Sequence, residues 1–355
     1  MAATVTVDAT VAATAAATVT MGPLKVAVIG VGNLGAIHAD IYRRMPEVQL
    51  AAVVDTDRAR ARAAAARYGC IALDSAEQLA GERAAVQVDA VSIVVPTTAH
   101  RAVAETVLGA GLHALLEKPV AENVADSRAI VELAAARGVI LQIGHLERFN
   151  AGVMKLAELA DNPRFIEVHR LDAFAGRATD VDVVADLMIH DIDIVLSLVR
   201  AELKQVCAAG ARVITEHIDI ANARLEFVGG AVANVTASRV SRSRFRRIRV
   251  FSTCGYLGLN FTDQQLDHVF PAPAGDAKFP KLVERRVAVE PQLPLNAELA
   301  HFVDCVRHGR RPLVAGEDGL IAVQVAQQVR QKISESIAET LPETLSESIA
   351  DSIGG

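Results

Sequence analysis

Apolar and polar positions divide the chain into two regimes, and the first is built of short apolar runs. From about residue 25 to residue 144, "KVAVIG", "QLAAVVD", "AVSIVVP", "HALLEKP" and "VILQIG" predict strands, and the stretches between them predict helices, one of them opened by Asn123. Strand and helix in regular succession are typical of a parallel sheet with helices on both faces. The pattern predicts an α/β domain with a doubly wound parallel sheet.

The second regime begins at about Phe165, where the apolar positions alternate over longer stretches. "HIDIANARLEFVGGAVANVTASRV", with Gly229 and Gly230 at its turn, and "RIRVFSTCGYLGLNF" predict antiparallel strands. Helices are predicted for "DLMIHDIDIVLSLV", "NAELAHFVDCVRHG" and "EDGLIAVQVAQQVRQKI". This half therefore predicts an α+β domain with an open, mostly antiparallel sheet.

The two ends of the chain differ in composition from both regimes. Residues 1–22 are rich in Ala and Thr, which predicts a disordered extension and makes Met21 a candidate for the true start. Residues 334–355 form an acidic, loosely repeating tail, predicted as a frayed amphipathic helix or, alternatively, a partner-binding helix. The predicted domains are 23–145, for a dinucleotide, and 146–333, for substrate and oligomerisation.

Composition and charge narrow the class of protein. The 355 residues are 51% hydrophobic, enough for two cored domains. The net charge of -6 lies largely in the tail, so the nearly neutral body suggests neither a nucleic-acid nor a membrane partner. No apolar run has bilayer length and no secretory signal is present, which predicts a cytoplasmic protein. The four cysteines are scattered without metal-ligand spacing, which predicts buried or unreactive thiols and no metal site.

A glycine-rich turn supplies the first candidate chemistry. In "VAVIGVGNLGAIHAD", Gly30, Gly32 and Gly35 end an apolar strand and begin an apolar helix, with Asn33 and Leu34 inside the turn. This context is typical of a Rossmann domain, in which such a turn and the helix N-terminus bind the pyrophosphate of a dinucleotide. The alternative is an ordinary strand-to-helix turn.

Asp55 follows the second predicted strand at the distance where a carboxylate binds the adenosine ribose hydroxyls. A carboxylate there repels a 2′-phosphate, so the predicted cofactor is NAD rather than NADP. Arg58 weakens this inference, because an arginine just beyond the strand could meet that phosphate. A solvated turn aspartate is the other interpretation.

The stretch "LLEKPVAEN" delivers Lys118 to the carboxyl edge of the predicted sheet, where doubly wound domains bind ligands. Pro119 ends the strand and restricts Lys118 to extended geometry, so the side chain is held at that edge. An ammonium there can polarise or deprotonate a substrate hydroxyl beside the nicotinamide. A surface Glu–Lys pair is an equally good interpretation of this segment alone.

Two further segments carry candidate polar groups. In "VADLMIHDIDIVL", Asp186 and His190 are four residues apart on a predicted helix, a spacing that suits a general acid/base pair, with Asp193 as a second partner. A helix start with capped, solvated polar residues is the alternative, and one histidine among carboxylates gives poor support for zinc. In "GHLERFN", at the same ligand edge, candidate substrate contacts are His145, Arg148 and Asn150, although Arg148 could instead tie the two domains together.

Six arginines crowd one predicted hairpin, "SRVSRSRFRRIRV". They are Arg239, Arg242, Arg244, Arg246, Arg247 and Arg249. A nucleic-acid surface would need more stacking groups than Phe245 and a more basic body. The remaining interpretations are a solvated hairpin, a patch for an anionic small substrate, or a subunit contact.

These motifs together resemble the Gfo/Idh/MocA oxidoreductases, an NAD(P)-dependent family, over about residues 25 to 333. The resemblance rests on the glycine turn, "VVPTTAH", "EKP" and "DLMIHDID", in that order and spacing. It implies that Lys118 is the active-site lysine, with Asp186 and His190 as its partners. It also implies that Glu117 approaches the nicotinamide ribose, and that the nicotinamide pocket is lined by Pro96, Thr97 and His100.

The resemblance also implies a reaction. Family members transfer a hydride between C4 of nicotinamide and a carbon bearing a hydroxyl, usually on a sugar or cyclitol, and their second domain forms homodimers or homotetramers. "GHLERFN", "DVDVVADLMIHDIDIVLSL" and "GEDGLIAVQVA" look most like the subgroup that oxidises the C3 hydroxyl of UDP-N-acetylglucosamine for the 3-amino sugar of lipid A. Lys118, His145, Arg148, Asn150, Asp186 and His190 would then contact the nucleotide sugar.

Three questions stay open at this point. The base could be Lys118 or His190, and the two could titrate as a coupled pair. The substrate could instead be a free sugar or inositol. A non-catalytic, NAD-sensing regulatory protein on the same fold is the alternative from another class, although such a protein has no need of Lys118, Asp186 and His190 together.

Overall fold

The computed structural model of the chain describes residues 22–81, 84–176, 181–272 and 278–340. Residues 1–21 of the predicted extension and residues 341–355 of the predicted tail lie outside this part of the chain. Within it, no helix is both long and apolar enough to cross a bilayer.

A six-stranded parallel sheet forms the first domain. Its strands are β1 (Leu24–Ile29), β2 (Val48–Val54), β3 (Ile71–Leu73), β4 (Ala90–Ile93), β5 (His113–Glu117) and β6 (Leu141–Gly144). They lie in the order β3-β2-β1-β4-β5-β6. The order reverses between β1 and β4, and ligands of such sheets bind beyond the carboxyl ends of the strands at that point. The predicted doubly wound sheet is confirmed, but the three-residue edge strand β3 was not predicted.

The connections of this sheet are helical. They are α1 (Asn33–Arg44), α2 (Arg58–Tyr68), α3 (Thr97–Gly109) and α4 (Val124–Arg137). Asn123 caps α4 as predicted, since its side chain accepts the backbone N–H of Asp126 at 2.9 Å. Asp57 caps α2 in the same way. These caps fix where each helix begins beyond the ligand edge.

The second sheet has eight strands. They are β7 (Phe165–Leu171), β8 (Leu203–Ala211), β9 (Ile220–Phe227), β10 (Val232–Ser238), β11 (Phe245–Ser252), β12 (Gly255–Asn260), β13 (Gln265–Pro271) and β14 (Leu282–Val287). The order is β14-β13-β12-β11-β7-β10-β9-β8, and only the β7–β10 pair is parallel. Gly229 and Gly230 turn β9 into β10 with φ of 91° and 85°, as predicted. The open, mostly antiparallel sheet is confirmed.

Helices cover one face of this second sheet. Strand β7 buries every second residue, including Ile166 and Val168, and helix α6 (Ile189–Val199) packs against it. Helix α5 (Ala151–Leu159) packs against β12 and β13, and the long helix α8 (Gly316–Thr340) packs against β8. The opposite face keeps partly exposed side chains such as Phe165 and Glu167. Helix α8 includes the first residues of the predicted tail.

Two helices after the second sheet return to the first. Helix α7 (Pro294–His308) buries Leu299 and Phe302 in the same core cluster as Leu115 of β5 and Tyr42 of α1. At the start of α8, a Cβ on Gly319 would lie 2.7 Å from Val120 and 2.8 Å from Ile143. The first domain is thus closed by segments from the far end of the chain.

The four cysteines, predicted to be buried or unreactive thiols, divide between buried and exposed positions. Cys305 is buried and Cys70 is partly buried, but Cys207 and Cys254 are exposed, and all four are free. Burial raises the pKa of Cys70 to about 11, so that thiol stays protonated at neutral pH.

Candidate active site

The glycine turn is shaped by close backbone approaches. Gly30 has a φ of 86°, and a Cβ there would lie 2.3 Å from the carbonyl oxygen of Val94. A Cβ on Gly35 would lie 1.8 Å from the carbonyl oxygen of Gly30. Around Gly32, by contrast, no atom lies within 4 Å of such a Cβ, and the neighbouring Asn33 and Leu34 are exposed. The turn therefore leaves open space in front of the α1 N-terminus, which fits the pyrophosphate of a dinucleotide.

Asp55 lies beside that turn. Its carboxylate accepts the backbone N–H of Val31 at 3.0 Å and of Asp57 at 2.9 Å, and only 7% of the residue is exposed. Arg60, which the sequence reasoning missed, lies 3.2 Å from the same carboxylate, whereas Arg58 pairs with Asp74 at 2.8 Å. Three arginines lie at the start of α2, and the sequence alone did not show which of them faces Asp55.

Replacing Asp55 by alanine is expected to weaken NAD binding and to narrow the preference for NAD over NADP. The ribose loses its acceptor, and Arg60, which keeps its pair with Asp57, no longer has the Asp55 carboxylate to repel a 2′-phosphate beside it. We therefore expect the ratio of the two dissociation constants to shift by about ten-fold or more. Titration of the apoprotein with each cofactor measures this. Asp74→Ala, which releases Arg58 instead, is the matched control and should leave the ratio unchanged; an equal shift in that control would contradict the assignment to Arg60.

The predicted nicotinamide edge is formed after β4. Pro96 precedes α3 and Thr97 begins it. The buried His100 has Nδ1 2.9 Å from the carbonyl oxygen of Pro119 and Nε2 3.0 Å from that of Val95. Burial lowers the pKa of His100, although the two carbonyl contacts oppose that shift, and a neutral ring can donate to only one of these carbonyl oxygens. Thr97 borders the cavity in front of Lys118, whereas Pro96 and His100 are not among the residues that line it.

Lys118 ends its strand as the sequence predicts, and the peptide bond to Pro119 is cis. Its ammonium donates to the main-chain oxygen of Asp186 at 3.0 Å and lies 4.0 Å from the Asp186 carboxylate. Burial lowers the pKa of Lys118, although the charges of Asp186 and Glu117 oppose that shift. Lys118 is therefore a desolvated cation that gives up a proton more readily than a surface lysine.

Glu117 turns away from Lys118. Its Oε1 lies 3.4 Å from Nε2 of His38, on α1, and a Cβ on Gly144 would come within 2.9 Å of its carboxyl carbon. No ion pair joins Glu117 to Lys118 within the described residues. The geometry therefore does not favour the alternative of a surface Glu–Lys pair.

Asp186 and His190 occupy an irregular helix start. Residues Val184–Met188 form a π-helical turn, and α6 continues from Ile189. π-Turns are frequent at functional sites and change the angular spacing of side chains. Asp186 consequently faces Lys118, and no hydrogen bond joins it to His190 in the part of the chain described. The expectation that Asp186 orients and charges His190 thus differs from this geometry.

His190 is partly buried, with an enclosed Nδ1 that has no hydrogen-bond partner among the described residues. Burial and then the positive charge of Lys118 lower the pKa of His190 well below its usual value, and Arg170 and Arg246 add to this. A neutral imidazole can accept a proton at neutral pH. His190 is therefore a base held in its unprotonated form by the neighbouring cations.

His145 lies beside His190, with the ring centroids 6.2 Å apart at 88°. Burial lowers its pKa to about 3, assisted by the charges of Lys118 and Arg148, and neither ring nitrogen has a partner among the described residues. His145, Lys118 and His190 therefore form one cluster.

Arg148 and Asn150 face elsewhere. Arg148 lies 3.3 Å from the carboxylate of Asp193 and 3.3 Å from the carbonyl oxygen of Leu313, bordering a separate cavity of about 500 Å³. The amide oxygen of Asn150 accepts backbone N–H groups at the start of α5. Burial raises the pKa of Asp193 to about 7, although Arg148 opposes that shift. This geometry favours Arg148 as a tie between segments and Asn150 as a helix cap.

The arginine-rich segment is not the predicted hairpin, because it joins β10 to β11 and these strands lie on opposite sides of β7. Arg239 bonds to the carbonyl oxygen of Val181, Arg244 and Arg246 pair with Asp172, and Arg249 pairs with Glu167. These carboxylates lie on or next to β7, the strand that pairs with β11. The pairs favour a structural role for these four arginines, and the burial of Arg239 differs from the interpretation of a solvated hairpin.

Sequence reasoning also missed Arg170, which is buried beneath the site. It binds Asp191 through two hydrogen bonds of 2.7 and 2.8 Å and Glu147 through one of 2.9 Å. Burial opposes the charge, but both carboxylates raise the pKa of Arg170 above its usual value. The alternation of β7 could have identified Arg170 as buried, because Arg170 lies on the same inward face of the strand as Ile166 and Val168.

A cavity of about 330 Å³ opens in front of Lys118 and receives residues from both domains. Thr97, Lys118 and Asp186 border it, as do Asp182, His217 and Arg330, which the sequence did not single out. Asp182 caps the π-turn through the backbone N–H of Val184 and of Ala185, and Arg330 lies 2.7 Å from its carboxylate. A hydroxyl in this cavity could meet the Lys118 ammonium at the cofactor edge, whereas His190 is not one of the residues that line it.

Comparison with known proteins decides the family. A model described as "Oxidoreductase family, NAD-binding Rossmann fold" matches residues 24–145, and the "GFO/IDH/MocA C-terminal domain" matches residues 160–258. The chain belongs to the Gfo/Idh/MocA oxidoreductase family. It is thus an oxidoreductase whose N-terminal Rossmann domain binds NAD, and the open space and close approaches of its glycine turn fit that cofactor.

Individual relatives span nearly the whole chain. A UDP-N-acetylglucosamine 3-dehydrogenase from Acidithiobacillus ferrooxidans is 37% identical over 85% of this chain and 97% of the relative. A solved structure of that enzyme from the same organism has a TM-score of 0.81 at 35% identity, covering 88% of this chain and 98% of that one. A scyllo-inositol 2-dehydrogenase (NAD(+)) from Bacillus subtilis is 29% identical over 85% of this chain and 92% of the relative.

Proposed function

We propose that this family member oxidises the C3 hydroxyl of a UDP-sugar, UDP-N-acetylglucosamine, to the 3-keto derivative with NAD as oxidant. The observation that carries the proposal is the near full-length similarity to a UDP-N-acetylglucosamine 3-dehydrogenase. The cluster of Lys118, Asp186 and His190 at the nicotinamide edge supplies the chemistry that such a reaction needs. The product would feed a transamination to a 3-amino sugar, as in lipid A synthesis.

The residues that would hold NAD lie along one edge of the first sheet. The glycine turn at Gly30, Gly32 and Gly35, with Asn33 and Leu34, would bind the pyrophosphate. Asp55 would bind the adenosine ribose and Glu117 the nicotinamide ribose, with Pro96, Thr97 and His100 shaping the pocket. Bound there, NAD supplies a hydride acceptor.

Proton transfer would fall to His190. Its pKa is depressed, so its imidazole is free to accept the hydroxyl proton, at Nε2 because Nδ1 is enclosed. Lys118 would steady the substrate oxygen as the proton leaves, and Asp186 would hold Lys118 in place through its main-chain oxygen. Hydride leaves C3 as the proton leaves its oxygen, so the C–H and O–H bonds are replaced by a carbonyl group.

The other residues proposed to contact the substrate are supported by different observations. His145 clusters with Lys118 and His190, which supports a place beside the sugar. Arg148 and Asn150 would act by holding the segment that carries His145. Arg330 adds a cation at the mouth of the cavity, where the substrate diphosphate would need one.

We also propose a homodimer or homotetramer formed through the open face of the second sheet. Support comes from an aromatic group on that face, in which the ring of Phe251 lies 6.1 Å from Phe165 and 5.0 Å from Tyr256. Partly exposed aromatic side chains of this kind are enriched at interfaces between subunits.

The test is to incubate the purified chain with NAD and UDP-N-acetylglucosamine and to follow NADH absorbance. A downstream transaminase or a carbonyl trap should be included, because it removes the keto product and draws the reaction forward. We expect NADH to form with the UDP-sugar and free N-acetylglucosamine to be inactive.

The relatives that act on inositol supply the second candidate. NADH formation from inositol or a free sugar, with no competition by UDP, would favour that candidate and contradict the UDP-sugar proposal. The trap should be supplied in both assays so that equilibrium does not decide the comparison.

A further inference from the structure

Glu298 is a buried carboxyl group that the proposed reaction does not use. It lies near the start of α7 and is 0% exposed, and neither carboxyl oxygen has a hydrogen-bond partner among the described residues. An ionised carboxylate is very unfavourable in such surroundings unless it is paired. Burial, and then the negative charge of Glu117, raise the pKa of Glu298 well above its usual value.

The strand register places Glu117 on the sheet face that α7 covers. Leu115 lies beside Gln142 of β6, and Glu117 lies beside Gly144, two residues further along each strand. Residues two apart on a strand point to the same face. Leu115 packs in one core cluster with Leu299 of α7, so Glu117 is on the α7 side.

Direct contacts link the segments that carry the two carboxyl groups. The side-chain amide of Gln142 donates to the main-chain oxygen of Glu298 at 3.1 Å, which ties α7 to the strand beside Glu117. Since Gly144 has no Cβ, the Glu117 side chain can lie across that same strand. Glu298 is therefore held behind Glu117 by packing and by a main-chain contact.

Other titratable groups surround this pair, and the charge of Glu117 acts to raise the pKa of Lys118, of His100 and of His145. Helix α1 contributes His38, 3.4 Å from Glu117, and Tyr42, whose hydroxyl lies 2.8 Å from Ser92 of β4. The charges of Glu298 and Glu117 both help to raise the pKa of Tyr42, after its burial. On α7 itself, Nε2 of His301 accepts a hydrogen bond from the backbone N–H of Leu313. Among the described residues, no lysine or arginine side chain lies within ion-pair distance of the Glu298 carboxyl group.

We propose that Glu298 is a positioning residue: an uncharged carboxyl group behind the sheet that leaves Glu117 as the one charged member of this pair of carboxyl groups. The proposal rests on the proposed placement of Glu117 at the cofactor ribose. With Glu298 neutral, Glu117 remains a carboxylate beside His38 and can accept hydrogen bonds from ribose hydroxyls. When Glu298 ionises, two carboxylates share one buried region, and their mutual repulsion displaces the Glu117 side chain.

The raised pKa of Glu298 determines the direction in which NAD affinity changes with pH. A carboxyl group with a raised pKa is neutral at low pH and ionises as the pH rises, so NAD affinity should fall on the alkaline side. The same shift makes the folded chain bind more protons than the unfolded chain above the usual glutamate pKa, so folding stability should also fall as the pH rises. Both effects should disappear when residue 298 has no ionisable group.

The experiment compares NAD binding by the full-length wild type and Glu298→Gln, by calorimetry from about pH 6 to about pH 10. Near pH 7 the two dissociation constants should agree to about two-fold, because a neutral amide replaces a neutral acid. Towards pH 10 the wild-type constant should rise by about ten-fold or more relative to the variant. Titration of Lys118 is common to both proteins and cancels in this ratio.

A ratio that stays constant across the pH range would overturn the proposal, as would loss of NAD binding near pH 7 in a folded Glu298→Gln protein. If that variant does not fold, Glu298→Met, which is also neutral and similar in volume, is measured with the same expectation. Failure of both to fold would equally contradict a neutral role. No sugar is present in this assay, so inactivity towards UDP-N-acetylglucosamine with the pH-dependent ratio intact would contradict only the proposed function.

Discussion

Replacing Lys118 by methionine is expected to lower kcat by about three orders of magnitude while leaving NAD binding largely intact. The ammonium lies at the cavity, where its charge would stabilise the developing oxyanion, and methionine has similar length without the charge. Steady-state turnover of the UDP-sugar, together with calorimetry of NAD, measures the two effects separately. Lys155→Met is the matched control and should leave kcat unchanged, since Lys155 lies on α5 and pairs with Glu158 of the same helix.

Lys118→Arg distinguishes the two roles that the sequence left open for this residue. An arginine keeps the positive charge but does not release a proton near neutral pH. If Lys118 stabilises the negative charge on the substrate oxygen, the kcat of Lys118→Arg should be about ten-fold or more above that of Lys118→Met. Equal inactivity of the two variants would instead favour Lys118 as the base, and near-normal turnover of Lys118→Met would remove it from the mechanism.

Much of the fold was predictable because its signals are local. Apolar runs predicted five strands of the first sheet, and Gly229 with Gly230 predicted the β9–β10 turn. Strand β3 was missed because it has three residues and its first, Ile71, is largely exposed at the sheet edge. The return of α7 and α8 to the first sheet depends on packing between distant segments, which periodicity does not report.

The candidate site was predictable where a strand end fixes a side chain. Lys118 follows directly from the carboxyl end of β5, and Asp55 from that of β2. Asp186 and His190 were found as a pair, but the π-helical turn broke the expected four-residue geometry and directed Asp186 to Lys118. The sequence does not indicate where a π-helical turn will form, because such single turns have no fixed residue pattern.

Other residues escaped because their partners are far apart in the chain. Arg330 and Asp182 meet across 148 positions, and that pairing appears only once α8 packs beside the π-turn. Asn150 was predicted as a possible substrate contact because the sequence does not show whether an amide side chain before a helix caps that helix or binds a ligand. The arginines of β11 needed the register with β7 before their carboxylate partners could be identified.

Replacing His190 by glutamine is expected to lower kcat by about two to four orders of magnitude and to remove the acid limb of the pH–rate profile. In the wild type, burial and Lys118 depress the pKa of His190, so activity should persist well below the usual histidine pKa as the pH falls. Removing the charge of Lys118 should raise the pKa of His190, so residual activity of Lys118→Met should fall off at a higher pH than in the wild type. His308→Gln, a change on the surface of α7, should alter neither limb.

The two variants together decide which group takes the proton. If His190 is the base, loss of the imidazole removes the acid limb while the alkaline limb, set by Lys118, stays in place. If Lys118 is the base, His190→Gln should leave a profile that still rises with pH as the ammonium loses its proton. Because the groups repel each other's charge, a shift of one limb on removing the other group would show that they titrate as a coupled pair.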